Sequence, residues 1–185
     1  MASTIRYKLV STSEELQQIL SLQKDNLPIS LSEGEKKKEG FLTVHHDLDL
    51  LQRMNNACPH IIAKDGDTIV GYALSMHPKF GDEIEVLIPM FEQLNVCRKR
   101  QPEKEFLNNF LIMGQVCVAK THRKRGVFRR LYQTMLKEHI PPFSCIVTEV
   151  NHKNTRSMEA HYAIGFQLLT EHRSGGQDWA LIYLK

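Results

Sequence analysis

The sequence has few cysteines, and their spacing gives them no evident partners. Four cysteines occur in 185 residues, far apart and without a Cys-x-x-Cys pair, which argues against a disulfide framework or a clustered thiolate site. We interpret them as reduced thiols of an intracellular protein. His45, His46, His60 and His77 also lack metal-ligand spacing with acids or thiols, so we expect no metal ion.

Long apolar runs are missing as well. The N-terminal stretch lacks the apolar core of a signal peptide, and no run approaches the ~20 residues needed to cross a bilayer. Hydrophobic residues make up 42% and charged residues 24% of the chain, which excludes a disordered or collagen-like protein. We therefore expect a soluble cytoplasmic protein of one domain, residues 1–185, with no membrane partner.

Net charge is small but unevenly distributed. The formal charge is +3, from 24 basic and 21 acidic residues, too little for a protein that coats nucleic acid. The segment 120–130 holds six of the basic residues and no acidic one, which leaves 18 basic and 21 acidic residues elsewhere. The chain is thus mildly acidic with one concentrated basic segment.

Periodicity and turn signals predict an α/β fold with a mixed sheet. Thr12 and Glu15 predict a capping box at the start of the first helix, and Asp65-Gly66 predicts a hairpin turn. We expect residues 78–110 to form a long irregular connection with a short helix near 88–94. The other predicted elements are strands at 4–10, 61–63, 68–75, 111–118, 145–150, 166–171 and 179–184, and helices at 47–55, 126–139 and 155–163.

The most informative stretch runs from Val116 to Leu131 and contains the basic segment. It combines a strand, a basic turn with Gly126, and an amphipathic helix. A helix N-terminus presents unpaired amides and partial positive charge, and glycine lets the backbone approach an anion closely. This pattern favours an anion site over the alternative, a solvated basic loop. A nucleotide P-loop is excluded, because the Gly-x-x-x-x-Gly-Lys-Ser/Thr pattern is absent.

Together with the segment 149–166, this stretch resembles the GNAT superfamily of acyl-CoA-dependent N-acetyltransferases. Arg123-x-x-Gly126 lies where that family has Gln/Arg-x-x-Gly-x-Gly/Ala, and Asn154-x-x-Ser157 followed by Gly165-Phe166 resembles its second signature. The specific motifs fall within 112–166, with 78–110 as an insertion. The resemblance implies a mixed, mostly antiparallel sheet of six to seven strands, flanked by helices and with splayed central strands.

Two positions depart from the family pattern. Phe128 stands where the first signature ends in Gly or Ala, which puts a bulky side chain at the start of the helix. His161 stands where the family usually has a catalytic tyrosine, and Tyr162 follows it, rotated by about 100° around the helix. Either residue is a candidate for the acid that protonates the departing thiolate. His161 suits this role if its pKa is raised toward neutrality, and its alternative role is that of a packed helix histidine.

The resemblance implies acetyl-CoA as co-substrate and no metal. Backbone groups of Val116 and Val118 would pair with the pantetheine arm, amides of 124–129 would bind the pyrophosphate, and Asn154 would position the cofactor. The implied cofactor-binding residues are Val116, Cys117, Val118, Arg123, Lys124, Arg125, Gly126, Val127, Phe128, Arg129, Asn154 and His161.

The implied reaction is direct attack of a primary amine on the thioester in a ternary complex. The acceptor is expected to be a small molecule or, as second choice, a protein. Glu149, at the end of the strand that enters the cleft, is the candidate base, and its alternative role is that of a surface carboxylate. Cys117 is interpreted as a buried strand residue rather than an acyl-enzyme nucleophile.

Two other functions compete with this one. A regulatory module that binds acyl-CoA without turnover would fit Phe128 and the missing tyrosine. Nucleic-acid binding through 98–100 and 120–130 would show a steep loss of affinity with salt, but no aromatic-rich recognition strand accompanies these patches. We therefore expect no nucleic-acid partner, and a homodimer is one option for the oligomeric state.

Overall fold

A single mixed sheet organises the protein. The computed structural model describes residues 4–27 and 46–185, and within these it has seven strands in the order β1-β2-β3-β4-β5-β7-β6. Neighbouring strands are antiparallel except β4 and β5, which are parallel. The predicted mixed, mostly antiparallel sheet is confirmed. The strands are β1 (Arg6–Leu9), β2 (Ile61–Asp65), β3 (Thr68–Met76), β4 (Phe110–Val118), β5 (Cys145–Asn151), β6 (Gln167–Ser174) and β7 (Gln177–Leu184).

Helices cover both faces of this sheet. Because side chains alternate between the faces of a strand, β5 directs Ile146 and Val150 into one core cluster and Val147 into another. The first cluster contains residues of α4, and α5 packs against it. On the other face, residues of α1, α2 and α3 contribute to the remaining clusters. The helices are α1 (Ser13–Lys24), α2 (Leu48–Ala57), α3 (Ile88–Arg100), α4 (Val127–His139) and α5 (Thr155–Tyr162).

The start of α1 only partly follows the predicted capping box. The Thr12 hydroxyl accepts from the Glu15 amide at 3.3 Å, as expected. The Glu15 carboxylate, however, accepts from the Ser11 amide and from Lys8 and Lys64. Two lysines on neighbouring strands attract the carboxylate away from Thr12, and these contacts, against the opposing effect of burial, lower the pKa of Glu15 to about 2. The cap therefore also ties α1 to the sheet.

The expectation of an irregular connection over 78–110 is wrong in part. Three short 3-10 turns and α3 lie there, and α3 continues to Arg100 rather than ending near 94. Met90, Leu94 and Cys97 are its buried residues. The basic run 98–100 is the last turn of α3, where positive side chains complement the helix dipole.

A gap opens between β4 and β5, in the middle of the sheet. The two strands pair only over Phe110–Ile112 and Cys145–Val147. Just beyond, the register of β3 on β4 shifts so that Leu74 faces Gln115 and Ser75 faces Met113, which leaves Gly114 as an extra residue. A bulge of this kind bends its strand. We attribute the divergence of β4 from β5 to this bulge.

Candidate active site

The basic turn ends in an uncapped helix N-terminus. Gly126 precedes the first helical residue of α4 with φ 78° and ψ 4°, in the left-handed region, and it offers no side chain to cap the helix. A Cβ at Gly126 would meet no heavy atom within 4 Å, so the requirement for glycine is conformational rather than steric. The first amides of α4 are therefore available to an external anion.

Contacts from three directions hold this turn against the sheet. The amide of Ala119 donates to the carbonyl oxygen of Val70 at 2.8 Å, and the His122 ring lies 3.0 Å from the Asp65 carboxylate. Arg123 provides the third contact, through its guanidinium. The turn is thus fixed to the β2–β3 hairpin rather than free in solution.

The guanidinium of Arg123 connects the turn to α1. Its Nε donates to the carbonyl oxygen of Val118 at 3.0 Å, and its Nη2 donates to Asn26 Oδ1 at 2.8 Å. The sequence suggests Arg123 as counter-charge for a phosphate. In the structure its hydrogen bonds link the end of β4 with the chain that follows α1, and Arg123 also lines the cleft.

A cleft of about 440 Å³ runs from this turn past the end of β4 and along α5. Of the residues that the sequence analysis proposed for cofactor binding, all line the cleft except Arg125 and His161. Arg156 and Glu159 are charged residues of the lining that sequence reasoning did not single out. The full lining comprises Asn26, Val116, Cys117, Val118, His122, Arg123, Lys124, Gly126, Val127, Phe128, Arg129, Asn154, Arg156, Ser157, Glu159, Ala160, Ala163 and Ile164.

The bulky Phe128 is accommodated by an aromatic cluster between α4 and α5. Its ring centroid lies 5.1 Å from those of Tyr132 and His161, and Phe166 packs edge-on against Tyr132 and His161. The ring of Phe128 therefore packs against this cluster at the wall of the cleft, of which it is a lining residue.

His161 belongs to this cluster and is 1% exposed. Its Nδ1 lies 2.7 Å from the carbonyl oxygen of Ser157, which can only accept, so Nδ1 carries the proton and Nε2 accepts from the Tyr132 hydroxyl at 2.7 Å. Burial lowers the pKa of His161 to about 4. The condition for His161 to act as the acid, a pKa raised toward neutrality, is not met, and both ring nitrogens already have hydrogen-bond partners within the protein.

Tyr162 lies outside the cleft too. It is 43% exposed and lines a separate depression of about 390 Å³ between α5 and the β6–β7 hairpin. The one-residue offset from the family position has turned its side chain to the other side of α5. Neither candidate acid from the sequence lines the cleft.

Glu149 occupies β5 beside the gap. Following the alternation of Cys145 and Val147, it faces the side of the sheet that α1, α2 and α3 cover. Its side chain is only 9% exposed, and its Oε2 lies 3.0 Å from Nε2 of His172. Burial raises the pKa of Glu149 to about 7. It is a partly protonated carboxyl near neutral pH rather than a surface carboxylate.

Cys117 lines the cleft, but its side chain is buried. Burial raises its pKa to about 12, so the thiolate form needed for nucleophilic attack is scarce at neutral pH. Its interpretation as a small buried hydrophobe is confirmed.

Other kinds of site are missing from the described residues. They contain no group of three or more His, Cys, Asp or Glu side chains arranged to hold a metal ion; His45 lies outside them. Among the helices in the same ranges, none combines the length and the apolar character required to cross a bilayer.

An uncapped helix N-terminus, beside a gap between two parallel strands of a mostly antiparallel sheet, is suited to a phosphate-bearing ligand and marks an α/β protein of open mixed sheet. The profile of the acetyltransferase (GNAT) family matches residues 16–166. The chain belongs to this family and is an acyltransferase.

Solved structures share the fold at low sequence identity. The putative acetyltransferase yncA of Salmonella typhimurium, solved with acetyl-CoA, is 13% identical with a TM-score of 0.62, over 98% of this chain and 93% of that one. Arabidopsis thaliana NAA60, also solved with acetyl-CoA, is 12% identical with a TM-score of 0.65, over 98% and 99% of the chains. An N-acetyltransferase from Staphylococcus aureus Mu50 is 15% identical with a TM-score of 0.63, over 98% of both. Comparison with curated protein sequences gives no significant match.

Proposed function

We propose that the protein transfers the acetyl group of acetyl-CoA to a primary amine, which attacks the thioester directly in a ternary complex. The observation that carries this proposal is the alignment of three features. The open N-terminus of α4 lies at the cleft, the cleft includes the end of β4 that no longer pairs with β5, and the buried carboxyl of Glu149 lies two residues beyond the last paired residue of β5. The acceptor is a small-molecule amine or, as second choice, an amine of a protein.

The residues of the cleft fit the chemistry of acetyl-CoA. The α4 amides suit a pyrophosphate, and Lys124, Arg129 and Arg156 add positive charge to the lining, against the single carboxylate of Glu159. Beyond its pairing with β5, the backbone of β4 near Val116 and Val118 has, within the described part of the chain, no strand on its β5 side. It can pair with the amide groups of a pantetheine arm as with another strand. Acetyl-CoA supplies the activated acyl group.

The two substrates approach from opposite faces of the sheet. The anion site belongs to α4, whereas Glu149 faces α1, α2 and α3. An amine that enters on the Glu149 side meets the thioester through the gap. Because both reacting groups are then held in line, the protein lowers the entropic cost of their encounter.

Glu149 removes the proton of the incoming ammonium. A carboxyl pKa of about 7 lies about one unit below that of an α-amine and about three units below that of a lysine. The proton transfer is therefore less unfavourable for amines of lower pKa. As the C–S bond breaks and the amide forms, the attacking nitrogen loses a second proton, which the departing thiolate takes up; with a pKa near 8.5 for an ordinary thiol, the thiolate needs little further acid assistance. His161 and Tyr162 accordingly have no assigned part in this step.

Glu149→Gln tests the base. We expect kcat/KM to fall by roughly 10²–10⁴-fold, the usual contribution of a general base, while CoA affinity stays unchanged. In the wild type the rate should fall as the pH drops through about 7, because Glu149 becomes protonated. The decrease in rate below about pH 7 should be absent in the variant. The rate of the variant should instead rise at higher pH with the fraction of free amine.

Steady-state rates of thiol release with a panel of amines measure this effect. Glu171→Gln is the matched control, because Glu171 lies on the other face of the sheet, 60% exposed and 3.3 Å from His152. A Glu149→Gln variant with the wild-type pH profile would exclude Glu149 as the base.

A regulatory module that binds acyl-CoA without turnover is the second candidate. It is favoured by the positions of the three candidate catalytic residues, because none of His161, Tyr162 and Glu149 lines the cleft. Tight CoA binding with no transfer to any amine in the panel would support the module and contradict the enzyme.

A further inference from the structure

We propose that His172 is the positioning residue of Glu149, and that it holds one carboxylate oxygen so that the other one faces the acceptor amine. This inference rests on the proposed role of Glu149 as the base. The sequence alone does not point to His172, since it lies on β6, two strands away from β5 in the sheet order.

Register places the two side chains on one face. Glu149 is opposite Leu181 on β7, and His172 is opposite Trp179, two residues before Leu181. Side chains two residues apart point to the same side of a strand, so the two groups reach across β7 diagonally. The side chains of His172 and Glu149 are 5% and 9% exposed, and Nε2 and Oε2 lie 3.0 Å apart.

The two oxygens of Glu149 have different surroundings. Oε2 is bound by His172. Every buried side-chain nitrogen or oxygen in the described ranges has a hydrogen-bond partner. Within those ranges Oε1 has none, and it must therefore keep contact with solvent. The carboxylate thus has one fixed oxygen and one accessible oxygen, as a base that receives a proton from an incoming amine requires.

The ionisable groups near this pair include basic side chains: Arg100 and Lys104 act on Cys97, Lys185 acts on Cys145, and Lys104 lies over the Tyr183 ring. The titratable residues in the adjoining core cluster on the same face are Cys97 of α3, Cys145 of β5 and Tyr183 of β7. Burial raises the pKa of both thiols and lowers the pKa of His172. His172 is therefore a neutral donor to ionised Glu149, and this hydrogen bond favours the charged form of the carboxylate.

Replacing His172 tests the inference through the pH profile. We expect His172→Phe to move the acidic limb of kcat/KM upward by about half a unit to one unit, since the carboxylate loses its donor. The rate at pH 7 should fall several-fold, while CoA affinity is unchanged. His172→Gln places an amide N–H near the position of Nε2 and should restore the limb toward its wild-type position.

His152→Phe is the matched control, because it removes a histidine that pairs with an exposed glutamate on the other face. A wild-type pH profile in His172→Phe, or a His172→Gln variant no better than His172→Phe, would overturn the positioning role. If Glu149 is not the base, the Glu149→Gln variant keeps normal rates, and this result is distinct from a failure of the positioning role of His172. Carbon-13 NMR of the glutamate carboxyls follows the Glu149 midpoint directly in the free protein, and it should rise in His172→Phe.

Discussion

Two helix N-termini face the cleft, and they differ in how their first amides are satisfied. At α4 the preceding residue is Gly126, left-handed and without a capping side chain. At α5 the preceding residue is Asn154, whose Oδ1 accepts from the Ser157 amide at 3.3 Å. Both helices carry the same partial positive charge at this end. We call the α4 terminus open, because Gly126 has no side chain to cap it, and the α5 terminus closed, because the Asn154 side chain caps it.

The difference assigns separate tasks to the two halves of the family pattern. The open terminus can bind an anion, because its amides have no intramolecular acceptor from a cap. The closed terminus gains stability and needs no ligand. Arg129, whose Nη2 donates to the carbonyl oxygen of Ala163 at 3.0 Å, joins the two helices. We infer that α5 supports the cleft and that α4 provides its main anion site.

Closing or distorting the open terminus should have the largest effect. Gly126→Val forces a β-branched residue into a left-handed conformation, which costs at least about 1–2 kcal/mol and moves the α4 amides. We expect CoA to bind at least tenfold more weakly by calorimetry, equivalent to about 1.4 kcal/mol.

Gly175→Val separates strain from function. Gly175 has φ 59°, and a Cβ there, as at Gly126, would meet no heavy atom within 4 Å, but Gly175 lies in the β6–β7 turn and does not line the cleft. Both variants should lose similar thermal stability, and only Gly126→Val should lose CoA affinity. Equal CoA affinity in the two variants would contradict the anion-site assignment.

Local sequence is sufficient where the chemistry is local. Gly126, Asn154 and the basic turn can be placed because each acts within a few residues of its own position, through a backbone conformation or a cap. The α3 helix shows a limit of the same reasoning. The prediction begins this helix near 88, with Pro89 in the first turn, where its missing N–H costs nothing, but it ends the helix near 94, whereas the helix continues to Arg100.

Side-chain environments created by distant partners could not be predicted. The motif makes His161 a candidate acid, but its partner Tyr132 is 29 residues away on another helix. The sequence shows Glu149 only as the end of a strand, because its burial and its partner His172 depend on the register of β5, β7 and β6. The order of the strands, rather than their existence, decides these contacts.

Removing the hydrogen bond between His161 of α5 and Tyr132 of α4 should have the next largest effect. His161→Phe leaves the buried Tyr132 hydroxyl without its acceptor, which should destabilise the protein by about 1–3 kcal/mol at a pH of about 7.5. Turnover should stay within a few-fold of the wild type, because His161 is not the acid in the proposed mechanism. Loss of most activity in a folded His161→Phe variant would contradict this role.

The pH dependence of unfolding tests the same residue. A histidine whose folded pKa is lowered to about 4 stabilises the protein fully above its unfolded pKa near 6.5, and this contribution is lost as the pH falls. Between pH 7.5 and 5 the loss for His161 is on the order of 2 kcal/mol. His161→Phe should therefore lose that much less stability over this range in urea titrations. His60, with a pKa lowered to about 3, should preserve a remaining pH dependence.

Opening the closed terminus should have the smallest effect on binding. Asn154→Ala removes the α5 cap and should lower the free energy of unfolding by about 1 kcal/mol, measured by urea denaturation. CoA should lose less affinity than in Gly126→Val, because α5 then presents free amides but no left-handed turn that brings the backbone to the anion. Asn154→Ser restores a capping oxygen and should recover most of the stability. If Asn154→Ala weakens CoA as strongly as Gly126→Val does, the two termini share the anion, and the division between an open and a closed helix end is wrong.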